Sequence, residues 1–202
     1  MSVASPTLSE DFAPLLENGA AEARPDVEND PDVALMLEVA GGNEHAFTRL
    51  VRAHQQNLVN FFARMGASSD CEDLAQETFV RVFRYRQQYR PAARFTTFLY
   101  HLARHVWIDR GRKIVRFERL TAAYENELRI TGNTGTPRAG ESVDVEAALD
   151  RLSPKLREVI VLNIYQGLRY QEVANVLGIP LGTVKSRINL ALTALKEILN
   201  ER

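Results

Sequence analysis

Apolar side chains recur at intervals of three and four residues along most of this 202-residue chain. This spacing gathers side chains on one face of an α-helix, and in the first half of the chain it predicts four helices. Capping residues mark where each helix begins, and glycine or proline marks where it ends. The predicted bounds are Asp30 to Gly42, Asn43 to Gly66, Ser69 to about Gln88, and Thr96 or Thr97 to about Gly111.

The second half of the chain predicts four shorter helices, which follow a stretch without large apolar residues. That stretch, TGNTGTPRAGES from Thr131 to Ser142, is rich in turn-forming residues and cannot join a core. The predicted bounds are Val143 to Leu152, Ser153 to Gln166, Tyr170 to Leu177, and Thr183 to about Leu199. Because no segment shows sustained alternation with a period of two, we predict an all-α fold.

These elements predict two small helical domains joined by a flexible linker. The first domain would comprise residues 30–113, the linker residues 114–142, and the second domain residues 143–202. Residues 1–29 are rich in Ala, Glu, Asp and Pro and contain few large apolar side chains. Such a segment cannot bury enough surface to offset the cost of ordering, so we predict a disordered acidic tail.

The second domain carries the pattern of a helix-turn-helix between Tyr170 and Arg187. Gly178 can adopt the left-handed conformation that ends a helix, Pro180 prevents continuation, and Thr183 can cap the next helix. The second helix of such a unit enters the major groove with its N-terminal residues at base edges. The outward residues that we predict to contact DNA are Thr183, Lys185, Ser186 and Arg187. The alternative is a plain helical hairpin with charged surface residues.

Charge alternates along the chain, although the formal net charge is only −1. Residues 1–44 carry 1 basic and 10 acidic residues, and residues 45–119 carry 14 and 6. Residues 120–150 carry 2 and 6, and residues 151–202 carry 8 and 4. Two basic blocks separated by an acidic block indicate two bodies that each meet a polyanion. The alternative is that arginine-rich helices simply have solvated faces.

Arginines alternate with aromatic residues between Phe79 and Lys113. Aromatic rings can stack on unpaired bases while guanidinium groups neutralise backbone phosphates, which is the combination that binds single strands. The alternative is that the aromatic residues form a core, and helical spacing favours this for Phe79, Phe83, Phe98 and Trp107. A core position fits poorly for Phe95, Tyr100 and the loop from Pro91 to Thr97, which favours nucleic-acid contact there.

The sequence indicates a binding protein rather than an enzyme. His101, His105 and Asp109 are spaced four residues apart, but Leu102 stands where a zinc-protease motif requires glutamate. We therefore interpret them as polar DNA contacts or exposed side chains and predict no metal. Cys71 is the only cysteine and is interpreted as an inert thiol that is buried or half-buried. Without a visible catalytic motif, membrane span or secretory signal, we predict a cytoplasmic protein that needs no cofactor and does not insert into a membrane.

Two motifs resemble the bacterial RNA polymerase sigma factors of the extracytoplasmic-function (ECF) group. The segment DLAQETFVR, from Asp73 to Arg81, resembles the family's core-polymerase-binding helix. The segment LSPKLREV, which starts at Leu152, and the segment from Gly178 to Arg187 resemble its promoter-binding fourth region. The resemblance covers about residues 32–113 and 146–199, and the motifs occur in the family's order.

The resemblance implies core RNA polymerase and promoter DNA as partners, and an anti-sigma factor as a regulator. The residues facing the polymerase clamp helices would be Asp73, Gln76, Glu77 and Arg81. Those recognising and opening the minus-ten element would be Arg90, Arg94, Phe95, Thr96, Thr97, Tyr100, His101 and Arg104. Within this set, the loop from Pro91 to Thr97 would hold a flipped base. Thr183, Lys185, Ser186 and Arg187 would read the minus-thirty-five element, and the acidic linker would thread toward the polymerase active site.

The chain departs from the family pattern at two places. After Ile188 the family often continues with arginines, whereas this chain has Asn189, Leu190, Ala191 and Leu192. We therefore expect weaker binding of the upstream element, or leucines that pack on the domain or on an inhibitor. The acidic tail has no counterpart, and our hypothesis is that it shields basic surfaces before polymerase binds.

Two other functions fit parts of the sequence. The main alternative is a stand-alone, dimeric helix-turn-helix regulator that binds a palindromic duplex by itself. A third class is an interaction protein, such as a polymerase adaptor or an inhibitor of another factor. The basic residues Lys185 and Arg187 on the second helix of the helix-turn-helix argue against that third class.

Overall fold

The computed structural model of the chain describes residues 25–67, 69–124 and 143–200, and every regular element in these ranges is helical. This confirms the predicted all-α fold. The helices are α1 (Pro25–Glu28), α2 (Pro31–Ala40), α3 (Glu44–Met65), α4 (Cys71–Arg84), α5 (Phe95–Tyr124), α6 (Val143–Arg151), α7 (Pro154–Ile160), α8 (Tyr170–Leu177) and α9 (Leu181–Asn200). A 3₁₀ turn spans Arg86–Gln88, and a π-helical turn, Val161–Tyr165, follows α7. Most of the predicted tail and linker lies outside the described residues.

Helices α2 and α3 begin and end where the sequence predicts. The carboxylate of Asp30 accepts a hydrogen bond from the backbone N–H of Asp32 at 3.0 Å, and Pro31 occupies the first turn of α2. The side-chain oxygen of Asn43 accepts from His45 and thereby caps α3. Gly66 ends α3 with φ of +100°, a left-handed conformation that glycine adopts without steric cost.

Helix α4 does not use the predicted cap. The capping residue is Asp70 rather than Ser69, and its carboxylate bonds Arg110 on α5 instead of the backbone of its own helix. Helix α4 ends at Arg84, short of the predicted end near Gln88, because the 3₁₀ turn takes over. The two basic groups of α4's last turn, Arg81 and Arg84, suit the negative end of the helix dipole.

Helix α5 differs from the prediction at both ends. It begins at Phe95 rather than being capped by Thr96 or Thr97, and the backbone N–H of Phe95 donates to the carboxylate of Asp30 at 3.0 Å. It also passes through the predicted end at Gly111 and reaches Tyr124. A Cβ atom at Gly111 would meet no other atom within 4 Å, so this glycine lies on an open helix surface and does not stop the helix.

The core of the first domain is built around α3. Helix α3 packs against α2 and α4, and α4 packs against α5. The largest fully buried side chains of this domain are Met36, Leu50, Leu58, Phe61, Phe62, Phe95 and Leu99. The core extends to Val27 on α1, so this part of the segment predicted to be disordered is helical and buried. None of the helices within the described ranges has the length and apolar character needed to cross a bilayer.

The second domain contains the predicted helix-turn-helix. Helix α8 ends at Gly178, where φ is +64°, and the backbone N–H of Ile179 donates to the carbonyl of Ala174. Helix α9 begins at Leu181, directly after Pro180, so Thr183 lies in its first turn and does not cap it as predicted. The apolar faces of these helices meet around buried Val173, Leu177, Val184, Ile188 and Ala191.

Asp30 serves two helices at once, which makes its removal more costly than the loss of an ordinary cap. We expect Asp30→Ala to lower the free energy of unfolding by about 2 kcal/mol, because it removes acceptors from the first turns of both α2 and α5. The matched control Asn43→Ala, which uncaps α3 and removes one exposed hydrogen bond to Glu38, should cost about 1 kcal/mol. Urea denaturation measures both values, and equal losses would contradict the double role of Asp30.

Candidate nucleic-acid interface and polymerase-binding helix

The residues predicted to read duplex DNA lie at the start of α9. Lys185 and Ser186 are exposed, whereas Thr183 and Arg187 are half-buried. The hydroxyl of Ser186 donates to the carbonyl of Thr183 at 3.0 Å, which orders this turn. Val184 and its inward neighbours hold the opposite face of the helix in the core. Basic donors at the N-terminal end of a helix suit an anionic partner, because the helix dipole is positive there.

Several residues predicted to face the minus-ten element are buried. Phe95 is 0% exposed and its ring packs against His54 and Phe98, so its interpretation as a DNA-facing aromatic residue is wrong for this conformation. Tyr100 is 2% exposed, and its ring packs against Phe61 on α3. The helical face of α5 that these rings occupy is the inner one, so core packing takes precedence over stacking.

The remaining predicted residues of this region are polar and differ in exposure. Arg90 is exposed and donates to the carbonyl of Tyr89 at 3.0 Å. Thr96 is half-buried as a residue, but its hydroxyl oxygen is buried and has no hydrogen-bond partner among the described residues. His101 is buried, with its ring centroid 4.6 Å from that of His105.

No group of three His, Cys, Asp or Glu residues is placed to hold a metal ion in the part of the chain that the structure describes. Asp109, which shares its helical spacing with His101 and His105, forms an ion pair with Arg81 at 3.0 Å instead. Cys71 is half-buried, as predicted, and its thiol donates to the carbonyl of Ala67 at 3.3 Å.

Arg94 and Thr97, which the sequence assigns to the minus-ten element, contact the second domain instead of solvent. The guanidinium of Arg94 donates through Nε and Nη2 to the two carboxylate oxygens of Glu172 on α8, each at 2.6 Å. The hydroxyl of Thr97 donates to the same carboxylate at 3.2 Å. Glu172 also accepts from the backbone N–H of Arg169 at 2.7 Å, which caps α8. One carboxylate therefore starts a helix of the second domain and anchors it to the first.

Two further contacts join the domains along α5. The hydroxyl of Tyr100 donates to Oε1 of Gln166, and Nε of Arg104 donates to Oε1 of Glu158 at 2.9 Å. The side chains of Arg104 and Glu158 are 24% and 15% exposed, so solvent screens this ion pair less than a surface pair. Burial raises the pKa of the Tyr100 hydroxyl, so it stays protonated and able to donate well above neutral pH.

The interdomain position of Glu172 alters its acidity. Burial alone would raise the pKa of Glu172, but hydrogen bonds from Arg94, the Arg169 backbone and Thr97 outweigh this effect. The pKa of Glu172 is therefore held below its usual value, and the carboxylate is charged at neutral pH. Sequence reasoning missed Glu158, Gln166 and Glu172, because nothing local shows which basic residue an acidic side chain will meet.

The predicted polymerase-binding residues share α4. Asp73, Gln76 and Glu77 are exposed, whereas Arg81 is half-buried between Glu77 at 3.0 Å and Asp109 at 3.0 Å. Burial lowers the pKa of Arg81, but the hydrogen bonds to Glu77 and Asp109 raise it by more. The net shift of this pKa is upward, so the guanidinium group stays a cation. The sequence reading overlooked Val80, which is 50% exposed on the same helix and lies four residues after Gln76.

These features define a class of protein: an all-α, two-domain chain with a helix-turn-helix whose exposed end is basic. Comparison with known families agrees with this class. Residues 50–117 match Sigma-70 region 2, and residues 142–195 match Sigma-70, region 4. The two regions occur in the order that the sequence motifs predicted.

Individual relatives make the assignment specific. The chain is 32% identical over 162 residues to the ECF RNA polymerase sigma factor SigC of Mycobacterium tuberculosis, with 80% of this chain and 88% of that protein covered. It is 35% identical over 162 residues to the ECF sigma factor SigE of Mycolicibacterium smegmatis, covering 76% of this chain but only 62% of that protein.

A solved structure has a similar fold. The structure of CnrH in complex with the cytosolic domain of CnrY is similar with a TM-score of 0.63 and 27% identity, covering 83% of this chain and 96% of that chain. The chain belongs to the ECF RNA polymerase sigma factors, the class of initiation factors that direct RNA polymerase to promoters. The comparisons do not favour the stand-alone dimeric regulator.

The ion pair between Asp70 and Arg110 fixes the start of α4, the helix predicted to bind polymerase, against α5. We expect Asp70→Asn to lower the free energy of unfolding by about 1 kcal/mol at neutral pH, a value reduced for solvent screening. The hydrogen bond from Arg110, opposed by partial burial, holds the pKa of Asp70 below 3.8. The stabilisation is therefore complete above pH 3.8 and disappears as the pH falls through the lowered pKa.

Urea denaturation at several pH values measures this effect. The matched control is Asp150→Asn, which removes the ion pair to Arg157 from a carboxylate that is 69% exposed, and it should cost less than about 0.5 kcal/mol. A gap between the wild-type chain and Asp70→Asn that stays constant as the pH falls well below 3.8 would contradict the assigned role of the carboxylate.

Proposed function

We propose that the chain directs RNA polymerase to its promoters by holding the DNA at two places, with one domain on each. The observation that carries the proposal is the exposed, basic start of α9 in a helix-turn-helix, combined with the match of the first domain to Sigma-70 region 2. Lys185 and Ser186 are available to the major groove without rearrangement of their own domain. Tethering two such domains raises the effective concentration of one site once the other is bound.

We assign recognition of the minus-ten element to the start of α5. Arg90, Arg94 and Arg104 supply guanidinium groups there, and the neighbouring Thr96 has a buried hydroxyl without a partner among the described residues. Because Phe95 lies inside the core, its role in our proposal is to position this segment rather than to stack on a base. The minus-thirty-five element is assigned to Thr183, Lys185, Ser186 and Arg187.

We assign polymerase binding to the exposed face of α4. Asp73, Gln76 and Glu77 offer acceptors and an amide, and Val80 adds an exposed apolar contact on the same helix. Arg81, held by Glu77 and Asp109, orients the acidic face and contributes fewer free donors of its own. The proposed role of the chain is to bind and position the polymerase, and the polymerase carries out the chemistry of RNA synthesis. In this proposal the chain acts in the cytoplasm and needs no metal or cofactor.

An anti-sigma factor is proposed as the regulator. The similar protein CnrH was solved in complex with the cytosolic domain of CnrY, so a chain of this fold can bind a second protein. Leu190 and Leu192 are 60% and 45% exposed, so the departure from the family's arginines does not bury these leucines in their own domain. We propose that they contribute to the inhibitor-binding surface.

Run-off transcription tests the proposed function directly. Core polymerase is incubated with genomic DNA fragments from the source organism, with and without the full-length chain, and the transcripts are mapped. We expect transcripts of defined start that require the chain. Binding of a palindromic duplex by a symmetric dimer, without any dependence on polymerase, would contradict the proposal.

Paired substitutions test the division of labour between the domains. We expect Asp73→Ala with Gln76→Ala to weaken binding to core polymerase by about tenfold or more, which corresponds to a loss of about 1.4 kcal/mol. Lys185→Ala with Arg187→Ala should leave core binding unchanged and reduce run-off, because the removed cations face DNA. Surface plasmon resonance with immobilised core polymerase measures the first effect, and equal losses of core binding for both pairs would contradict the assignment.

A further inference from the structure

Asp109 lies on α5, but its carboxylate contacts the helix to which we assign polymerase binding. Nη2 of Arg81 on α4 forms an ion pair with Oδ2 of Asp109 at 3.0 Å. Nε of the same guanidinium group donates to Oε1 of Glu77 at 3.0 Å. Arg81 is therefore shared between a carboxylate of its own helix and a carboxylate of α5.

This sharing leaves part of Glu77 available to a partner. The guanidinium group gives one nitrogen to each carboxylate, so it does not form the bidentate pair in which both oxygens of one carboxylate are bound. Oε2 of Glu77 accepts no hydrogen bond from the residues that the structure describes, and the side chain is 45% exposed. Two carboxylates share one cation here, so the cluster of Glu77, Arg81 and Asp109 keeps a net negative charge.

A second arginine contributes little to this cluster. Arg112 on α5 reaches Asp109 at 3.5 Å, but its side chain is 77% exposed, whereas that of Arg81 is 18% exposed. An ion pair that is this exposed stabilises little, because solvent and salt screen it. Arg81 is therefore the main partner of Asp109, and α4 is the element on which Asp109 acts.

The position of α4 is fixed by other contacts. Its residues Leu74, Phe79 and Val82 are buried in the core of the first domain. Its start is held against α5 by the ion pair between Asp70 and Arg110. A substitution of Asp109 can therefore leave the helix in place and change only the direction of the Arg81 guanidinium and the charge around it.

On these contacts, and resting on the proposed binding of polymerase to α4, we infer that Asp109 is a positioning residue for that binding. It keeps Arg81 out of a bidentate pair with Glu77, so the Glu77 carboxylate remains available as a charged acceptor. The polymerase surface that meets Glu77 then carries a basic side chain, because opposite charges across an interface favour association. Without Asp109, the guanidinium group can bind both oxygens of Glu77 and neutralise this acceptor.

The test replaces Asp109 in the full-length chain and measures the affinity for immobilised core polymerase by surface plasmon resonance. We expect Asp109→Asn to weaken core binding by about threefold, which is the scale of one partly exposed ion pair. Core binding should also become less sensitive to salt, because Glu77 contributes less charge to the interface. Asp109→Glu keeps a carboxylate for Arg81 and should restore both the affinity and the salt dependence of the wild-type chain.

The matched control is Asp70→Asn, which removes the other ion pair between α4 and α5 and does not alter the contacts of Arg81. Urea denaturation measures the stability that each variant loses. We expect Asp70→Asn to change core affinity much less than Asp109→Asn does and to keep the salt dependence of the wild-type chain. Equal losses of affinity for the two variants, or no recovery with Asp109→Glu, would overturn the inference.

A double-mutant cycle tests whether Asp109 acts through Arg81. In a chain that already carries Arg81→Gln, the further change Asp109→Asn should leave core affinity unchanged, because no guanidinium group remains to be redirected. A further loss of core affinity in this background would show that Asp109 acts by another route and would overturn the inference.

The pair Asp73→Ala with Gln76→Ala separates this inference from the function on which it rests. If that pair leaves core binding intact, the assignment of polymerase binding to α4 is wrong. If that pair weakens core binding while Asp109→Asn matches the Asp70→Asn control, only the role of Asp109 is overturned.

Discussion

A carboxylate that is largely removed from water must be paired, because an unpaired buried charge costs several kcal/mol. The side chain of Glu172 is 12% exposed, and it meets this requirement with donors from both halves of the molecule. The Arg169 backbone lies in its own domain, and Arg94 and Thr97 lie in the other. The first turn of the helix-turn-helix and the arrangement of the domains therefore depend on the same charge.

The two proposed DNA surfaces differ in how they are built. The start of α9 reaches solvent because its inward face, around Val184 and Ile188, is fully engaged by its own domain. The start of α5 has aromatic residues on its inward face and cations on its outward face, and those cations are satisfied by the second domain. The basic side chains at the start of α5 therefore bind carboxylates of the second domain when no DNA is present.

Local signals explain why much of the fold was predictable from the sequence. Asn43 and Gly66 bound α3 by capping and by a left-handed turn, and both effects depend only on neighbouring residues. The end of α5 was not predictable in this way, because Gly111 faces open space and the helix simply continues. The burial of Tyr100 and its bond to Gln166, 66 positions away, depend on tertiary packing, which charge and periodicity cannot specify.

The π-helical turn Val161–Tyr165 has a consequence for how this chain tolerates insertions and deletions. The backbone N–H of Gln166 reaches back five residues to the carbonyl of Val161, so the helix holds one more residue than an α-helical turn would. Deleting one residue between Val161 and Tyr165 would restore an α-helical turn and leave the segment after it in register. Tyr165 and Gln166 would still face the first domain, so this turn is a place where the chain can lose one residue without a change in how the domains meet.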